Sequence, residues 1–295
     1  MVEEIKKNWH DKNYKKLLII PIVILLFSVI YLSNFTSQNQ DIVYKDISLK
    51  GGTTITVFDK TTDINDLKIF LKDKLPDSLV REISDFRTGE QQAFFVESSS
   101  DSKELKSILE DYLGYKLDSE NSSTEFTGAS ISQGFYEQLK FAIILAFIFM
   151  AIVVFLIFKT PIPSLAVIIS AFSDIVMTIA TIDLLGISLS SGGIVALLML
   201  IGYSVDTDIL LTTRILRKKG DLLNKRILEA FKTGLTMTLT SILAIFVAYI
   251  IIFNLSEVLK QIFTILLFGL GFDLLNTWVT NASILKWYAE VKGIQ

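Results

Sequence analysis

Four aspartates sit in stretches of the chain otherwise made for lipid: Asp174 in SAFSDIVMT, Asp206 and Asp208 in IGYSVDTDILLTTRI, and Asp273 in GLGFDLLN. A carboxylate near the centre of a bilayer costs on the order of 3 kcal/mol on insertion scales, so each needs a reason to be there. Two kinds of chemistry supply one. A carboxyl can take up and release a proton or ion as its surroundings change, or it can hydrogen-bond one helix to another. Asp206, Asp208 and Asp174 are the ion-coupling candidates. Asp273, with Asn276 and Asn281 after it, reads as polar glue between helices, as does Thr178 one turn beyond Asp174. Asp206 and Asp208 are two residues apart, about 200° around a helix, so they cannot face the same neighbour. The reading gives Asp206 the titrating role and turns Asp208 toward a partner subunit. No Lys or Arg lies inside the last five apolar stretches, so no internal cation of the chain is expected beside these carboxyls. Asp183 falls near the outer end of its stretch, in the headgroup region, and Arg214 is placed to snorkel at the opposite surface.

Other chemistry has little to work with. There is no cysteine, and His10 is the one histidine, which leaves no thiol nucleophile, thiolate metal site or buried histidine shuttle. The sequence contains no GxxxxGK[ST] phosphate loop, no HExxH and no GxSxG. The expectation is a protein that is not an enzyme and uses no cofactor or metal. A net charge of −3 argues against a nucleic-acid partner.

The elements that must position the carboxyls are membrane helices. Mean hydropathy is +0.51, and 51% of residues are hydrophobic against 20% charged, which points to several spans. The run LLIIPIVILLFSVIYL opens the series. It reads as a retained span rather than a cleaved signal, because SNFTSQNQD after it offers no small-x-small site. Five further apolar runs cover about 141–158, 162–185, 194–213, 235–253 and 262–285. Basic residues crowd the N-terminus, the stretch RILRKKGDLLNKRILEAFK, Lys159 and the C-terminal Lys286 and Lys292. The positive-inside rule then places both termini in the cytoplasm of a cell-membrane protein and residues 36–138 outside. The expected organisation is a cytoplasmic tail over 1–16, a first span over 17–34 and an extracytoplasmic domain over 35–138. Spans two to six then cover 139–286 with a cytoplasmic loop over 214–233, followed by a tail over 287–295. Gly192, Gly193, Gly202, Gly269 and Gly271 read as close-packing points between helices.

The outer segment is patterned as a folded domain. GGTTITVF is strand-like, and DINDLKIFLKDKL puts Ile64, Leu67, Leu71 and Leu75 on one helical face. SLVREISDF and QQAFFVESS read as two strands. DSKELKSILEDYLG reads as a helix opened by an Asp cap, with Leu105, Ile108, Leu109 and Tyr112 inward. STEFTGASIS reads as a last strand. The fold class is therefore a polytopic α-helical membrane protein of six spans, with one ferredoxin-like βαββαβ domain between the first and second.

Six spans with a sizeable domain after the first resemble the half-unit of the resistance-nodulation-division transporter superfamily. The motif DISLKGGT resembles the G-x-D-x-x-GG-T signature of the SecD/SecF protein-export family, with Ser48 at the position of its Asp. Residues 171–215, AFSDIVMT through LLTTRI, resemble the third and fourth spans of the SecF branch. FKTGLTMTLTSILA resembles the fifth and FDLLNTWVTNASILKWY the sixth span of archaeal SecF proteins. Bacterial members read Asn-Asp-Thr where this chain has Asp206-Thr207-Asp208, and Asp206 matches the Asp of the fourth span of SecD. The resemblance implies an archaeal-type SecF subunit beside SecD, assisting export through a SecYE-type translocon. The translocating polypeptide and membrane lipid would be its other partners, and ion flow, of protons, its energy source. Two alternatives stand beside it: a small-molecule or lipid transporter half-unit, and a structural subunit that stabilises SecD without conducting ions.

Overall fold

The structure is a computed structural model that describes residues 14–85, 88–217, 222–253 and 256–293. His10, most of the N-terminal basic cluster and Lys219 lie outside the described residues. Among the described residues, six helices are long and apolar enough to cross a membrane. Numbered in chain order, the helices are α1 (Ile19–Asn39), the short α2 (Ile47–Lys50), α3 (Ile64–Lys74), α4 (Ser102–Leu113), α5 (Ala129–Phe158), α6 (Pro161–Leu184), α7 (Ser191–Arg217), α8 (Leu223–Ile252), α9 (Glu257–Leu275) and α10 (Ala282–Lys292). A π-helical turn, Asn276–Asn281, joins α9 to α10, so these form one continuous membrane element.

Several helices run past the apolar runs that announce them. α5 begins at Ala129, well before the apolar stretch that opens at about 141, and the strand expected over STEFTGASIS ends at Thr127. Gly128 is the turning point, and Ser132 and Tyr136 then bury on a helical face. Likewise α7 continues to Arg217 and α8 starts at Leu223, so the loop expected over 214–233 is mostly helix. Hydropathy marks where a helix meets hydrocarbon; backbone hydrogen bonding continues it into water.

Between α1 and α5 lies a four-stranded antiparallel sheet of β1 (Gly52–Val57), β2 (Leu79–Ser84), β3 (Gln91–Ser98) and β4 (Ser122–Thr127), in the spatial order β2-β3-β1-β4. β1 and β2 are joined through α3 and are separated by β3. Ile64, Leu67, Leu71 and Leu75 of the α3 face are buried with Leu105 and Leu109 of α4 against Ile55, Val57, Val80, Phe94 and Val96. Each helix is capped as its sequence demands: Asp63 accepts from the N–H groups of Asn65 and Asp66, and Asp101 from that of Ser102. At the strand start Gly51 and Gly52 adopt φ of +83° and +149°, and a side chain on Gly51 would meet the backbone of Ala129.

This domain is tied to the loop that leads into α7. The Leu189 N–H donates to the Tyr44 carbonyl at 2.6 Å, and the Asp46 N–H donates back to the Leu189 carbonyl at 2.9 Å. The Ser191 N–H at the start of α7 donates to Ser48 Oγ at 3.1 Å, and the Tyr136 hydroxyl of α5 donates to Asp41 at 2.6 Å. From the other side Gln261 of α9 accepts from the Ser190 N–H at 3.0 Å and donates to the Ser188 carbonyl.

Candidate functional site

The middle of the bundle is built by α6, α7 and the α9–α10 element. On α7, Ser204, Thr207, Asp208, Leu211, Thr212 and Ile215 recur at three- and four-residue spacing and are all buried. Val195, Met199, Tyr203 and Asp206 recur on the opposite side and are exposed. The two aspartates therefore do face apart, but in the reverse sense to the expectation. Asp208 is fully buried inside the subunit and cannot touch a partner; Asp206 is on the open face. The spacing fixed their divergence, and only the packing partners of α7 decide which one is inside.

Three carboxyls converge in the interior: Asp174 of α6, Asp208 of α7 and Asp273 of α9, each 0% exposed. Hydroxyls and amides join them. The Ser204 hydroxyl donates to Asp174 Oδ2 at 2.6 Å, and Asn276 Nδ2 donates to Asp174 Oδ1 at 2.7 Å. The Thr277 hydroxyl lies 2.9 Å from Asp208 Oδ1 and 3.0 Å from Asp273 Oδ1. The Thr207 hydroxyl lies 3.1 and 3.2 Å from the two oxygens of Asp273, and Asn281 Nδ2 donates to Asp208 Oδ1 at 2.7 Å. Asp273 is thus more than a single helix-to-helix link; with Thr207 and Thr277 it connects to Asp208. The Thr178 hydroxyl donates to the Asp174 main-chain carbonyl at 2.6 Å, not to its carboxylate as its position one turn away suggested.

The π-helical turn makes this convergence possible. Residues five apart on an α-helix diverge by about 140°. Where the turn closes i→i+5, both ends return to one side, and Asn276, Thr277, Thr280 and Asn281 are all buried toward α6 and α7. Trp278 of the same turn packs edge-on against Phe231 of α8 and leaves no room for a side chain on Gly234.

No ion pair reaches Asp174, Asp208 or Asp273 among the described residues. No group of three or more His, Cys, Asp or Glu placed to hold a metal ion occurs among them. The carboxyls and hydroxyls of the cluster are within reach to exchange hydrogen bonds and protons. A threonine hydroxyl carries one proton, so Thr277 can donate to Asp208 or to Asp273 but not to both at once. Which bond forms depends on which carboxyl holds a proton of its own.

Other candidates are placed differently from their expectation. Asp183 is 2% exposed and accepts from the Tyr44 N–H at 3.2 Å and the Tyr31 hydroxyl at 3.4 Å, an anchor for α1 and the linker rather than a headgroup contact. Arg214 has an ion pair with Glu229 of α8 at 3.7 Å, both about one-third exposed. Gly192, Gly193 and Gly269 do meet side chains of neighbouring helices, whereas Gly202 and Gly271 face open space. Sequence reasoning missed Ser204, Thr207 and Thr277. Their signal was present as Ser204-x-x-Thr207-Asp208 on one helical face, hidden because Ser and Thr in apolar runs also satisfy themselves on their own backbone. Outside the membrane part, a cleft of about 500 Å³ opens between the sheet and the α6–α7 loop, lined by Arg81, Phe95, Glu97, Ser188, Lys260 and Gln261 among others.

The model of the family described as "Protein export membrane protein SecD/SecF, C-terminal" matches residues 107–291. A protein-export membrane protein SecF from Methanocaldococcus jannaschii is 39% identical over 94% of this chain and 96% of its own length. The SecF of Thermococcus gammatolerans is 37% identical over 93% of this chain and 85% of its own. Among solved structures, the translocon-associated membrane protein SecDF of Thermus thermophilus superposes with a TM-score of 0.70 at 18% identity. It covers 94% of this chain, which spans 38% of that longer one. With six apolar helices around a buried carboxylate cluster, and curated relatives matched almost end to end, this chain belongs to the SecD/SecF family of protein-export membrane proteins, in its SecF branch.

Proposed function

We propose that the chain works beside a SecD-type subunit to assist polypeptide translocation through a SecYE-type translocon, and that proton movement through the Asp174–Asp208–Asp273 cluster powers it. The protein is read as a transporter component with no enzymatic activity, multi-pass in the cell membrane, with both termini cytoplasmic and the sheet domain outside. The cluster carries the reading: Thr277 has one hydroxyl proton between Asp208 and Asp273, and Ser204 has one between Asp174 and Asp273, so adding or removing one proton must rearrange hydrogen bonds between α6, α7 and α9. The outer domain grips the loop between α6 and α7 through Tyr44, Asp46 and Ser48, so a shift of α7 is transmitted to it. Asp206, exposed on a membrane helix, needs cover that lipid does not give, which supports a second subunit against that face.

The test is export in vesicles holding this chain and its SecD-type partner, with and without an imposed proton gradient. Gradient-stimulated export that disappears in Asp208→Asn at normal protein level is expected. Unchanged stimulation in that variant would reject the coupling role. Orientation is checked separately in this cysteine-free chain: Ser100→Cys should react with an impermeant thiol reagent from outside cells, and Lys159→Cys should not.

A further inference from the structure

Buried polar atoms of the membrane helices that lack a well-aligned hydrogen-bond partner gather at one end of the bundle. They are Thr160 Oγ1, Ser164 Oγ, Ser170 Oγ, Asp208 Oδ2, Asn281 Oδ1 and Trp278 Nε1, with Ser132 of the outer end of α5 the exception. Thr160 and Ser164 begin α6 beside the α5–α6 turn. Ser170, one to two turns further in, turns its hydroxyl to the Asp208 carboxyl, and its oxygen takes no hydrogen bond from another side chain or from the backbone. At the other end the buried polar groups are satisfied: Asp183 by Tyr31 and Tyr44, Ser190 by Gln261, Asp174 by Ser204 and Asn276.

The contrast holds within α6 itself. Ser173, Thr178 and Thr181 each donate to the carbonyl four residues back. Ser164 and Ser170 do not, although they are 1% and 0% exposed. Buried hydroxyls that decline their own backbone, with no partner at all at Thr160 and Ser164 and only the Asp208 carboxyl at Ser170, keep hydrogen-bonding capacity of the kind that ordered water satisfies in protein interiors. Six residues of helix separate Ser164 from Ser170, about 9 Å along the axis and about 120° around it, which about three hydrogen-bonded waters span.

We propose that Thr160, Ser164 and Ser170 hold a file of ordered water that joins Asp208 to the end of the bundle marked by Lys159, and to that end alone. The file rests on the proton-coupling reading for its purpose, though not for its presence. It makes Asp208 the carboxyl through which protons enter or leave on that side, while Asp174, with both oxygens bonded, lies behind Thr277, Asp273 and Ser204. Ser164 and Ser170 are positioning residues in this scheme, since they hold water and not a reacting group.

The absence of cysteine makes the test direct. Ser164→Cys and Ser170→Cys are near-isosteric, and Ala171→Cys and Met177→Cys, at sites 0% exposed, serve as dry controls. Membrane vesicles of either orientation holding the full chain and its partner are treated with a small cationic methanethiosulfonate, which reacts with thiols in contact with water. Both serine positions should react at least about tenfold faster than the controls, and only from the face that exposes Lys159. Reaction of Ser170→Cys no faster than Ala171→Cys would overturn the water file, and equal reaction from both faces would overturn its one-sidedness. Ser164→Cys repeats the comparison nearer the surface should Ser170→Cys disturb the bundle. Export is not the readout, so fast labelling in a chain whose export ignores Asp208→Asn would uphold the file and reject only the coupling role.

Discussion

Replacing Asp208 by Asn should leave the bundle as stable as the native chain or slightly more so, while abolishing the ability to exchange a proton there. Oδ1 of Asp208 accepts from Thr277 at 2.9 Å and from Asn281 at 2.7 Å, and an amide oxygen accepts both equally well. The other side of the carboxyl faces the Ser170 hydroxyl. An amide NH2 in that place can donate to the Ser170 oxygen, which exchanges one hydrogen bond for another at little net change. The replacement also removes a chargeable group whose insertion costs on the order of 3 kcal/mol. Asp208→Leu is the contrasting variant. It strands the Asn281 amide, at about 1–3 kcal/mol in a buried site, while the Thr277 hydroxyl keeps Asp273 as its acceptor. Interhelical bonds measured in membranes run smaller, averaging about 0.6 kcal/mol, which makes the low end of that range the expectation. Equilibrium unfolding of the purified chain in mixed detergent and SDS reads the two variants side by side. A native-like or higher midpoint for Asp208→Asn, a lower one for Asp208→Leu, and export lost in both are expected. Destabilisation of Asp208→Asn by more than about 1 kcal/mol would refute the geometry, since it would mean that Oδ2 has a partner an amide cannot replace.

Asp206→Asn should leave the isolated chain's stability unchanged, because the side chain lies on the exposed face of α7, and should weaken copurification with the SecD-type subunit; copurification at the native level would remove Asp206 from the interface. Ser48→Ala should loosen the grip of the outer domain on α7 by about 0.5–2 kcal/mol, the cost of losing a helix-capping acceptor, whereas Ser48→Asp should keep it, since a carboxylate also favours the positive end of a helix. Limited proteolysis at the linker reports this, and equal cleavage of the two variants would refute it. A fragment of residues 43–127 should fold alone, with a stability plateau between about pH 4 and pH 10. Burial opposes ionisation of Asp59, yet the Thr61 N–H and the hydroxyls of Thr61, Tyr115 and Thr62 outweigh it and hold the carboxyl at about 2. Burial, and then the bond to Asp59, push Tyr115 up to about 12. The Asp59 contribution is present above the ordinary carboxyl value and is lost as pH falls toward 2; that of Tyr115 is present below its ordinary value of 10 and is lost as pH rises toward 12. Urea unfolding across this range would show the plateau, and a midpoint indifferent to pH at both ends would contradict it.

What could be read from the sequence, and what could not, divides along physical lines. Ile64, Leu67, Leu71 and Leu75 declare a helix face because one buried side is all that a small domain needs, and the structure buries them as a set. The same reasoning fails on α7, where a membrane helix can be apolar on every side and hydropathy carries no direction. There the polar residues are the only markers of inside and outside, and Asp206 and Asp208 mark opposite sides with the same chemistry. Their sense is set by what stands opposite: Thr277 and Asn281, brought round by a π-helical turn that no local pattern announces. A strictly α-helical sixth span would send Asn276 and Asn281 about 140° apart and leave either Asp174 or Asp208 without its amide. The turn gives up backbone regularity so that one element holds both carboxyls.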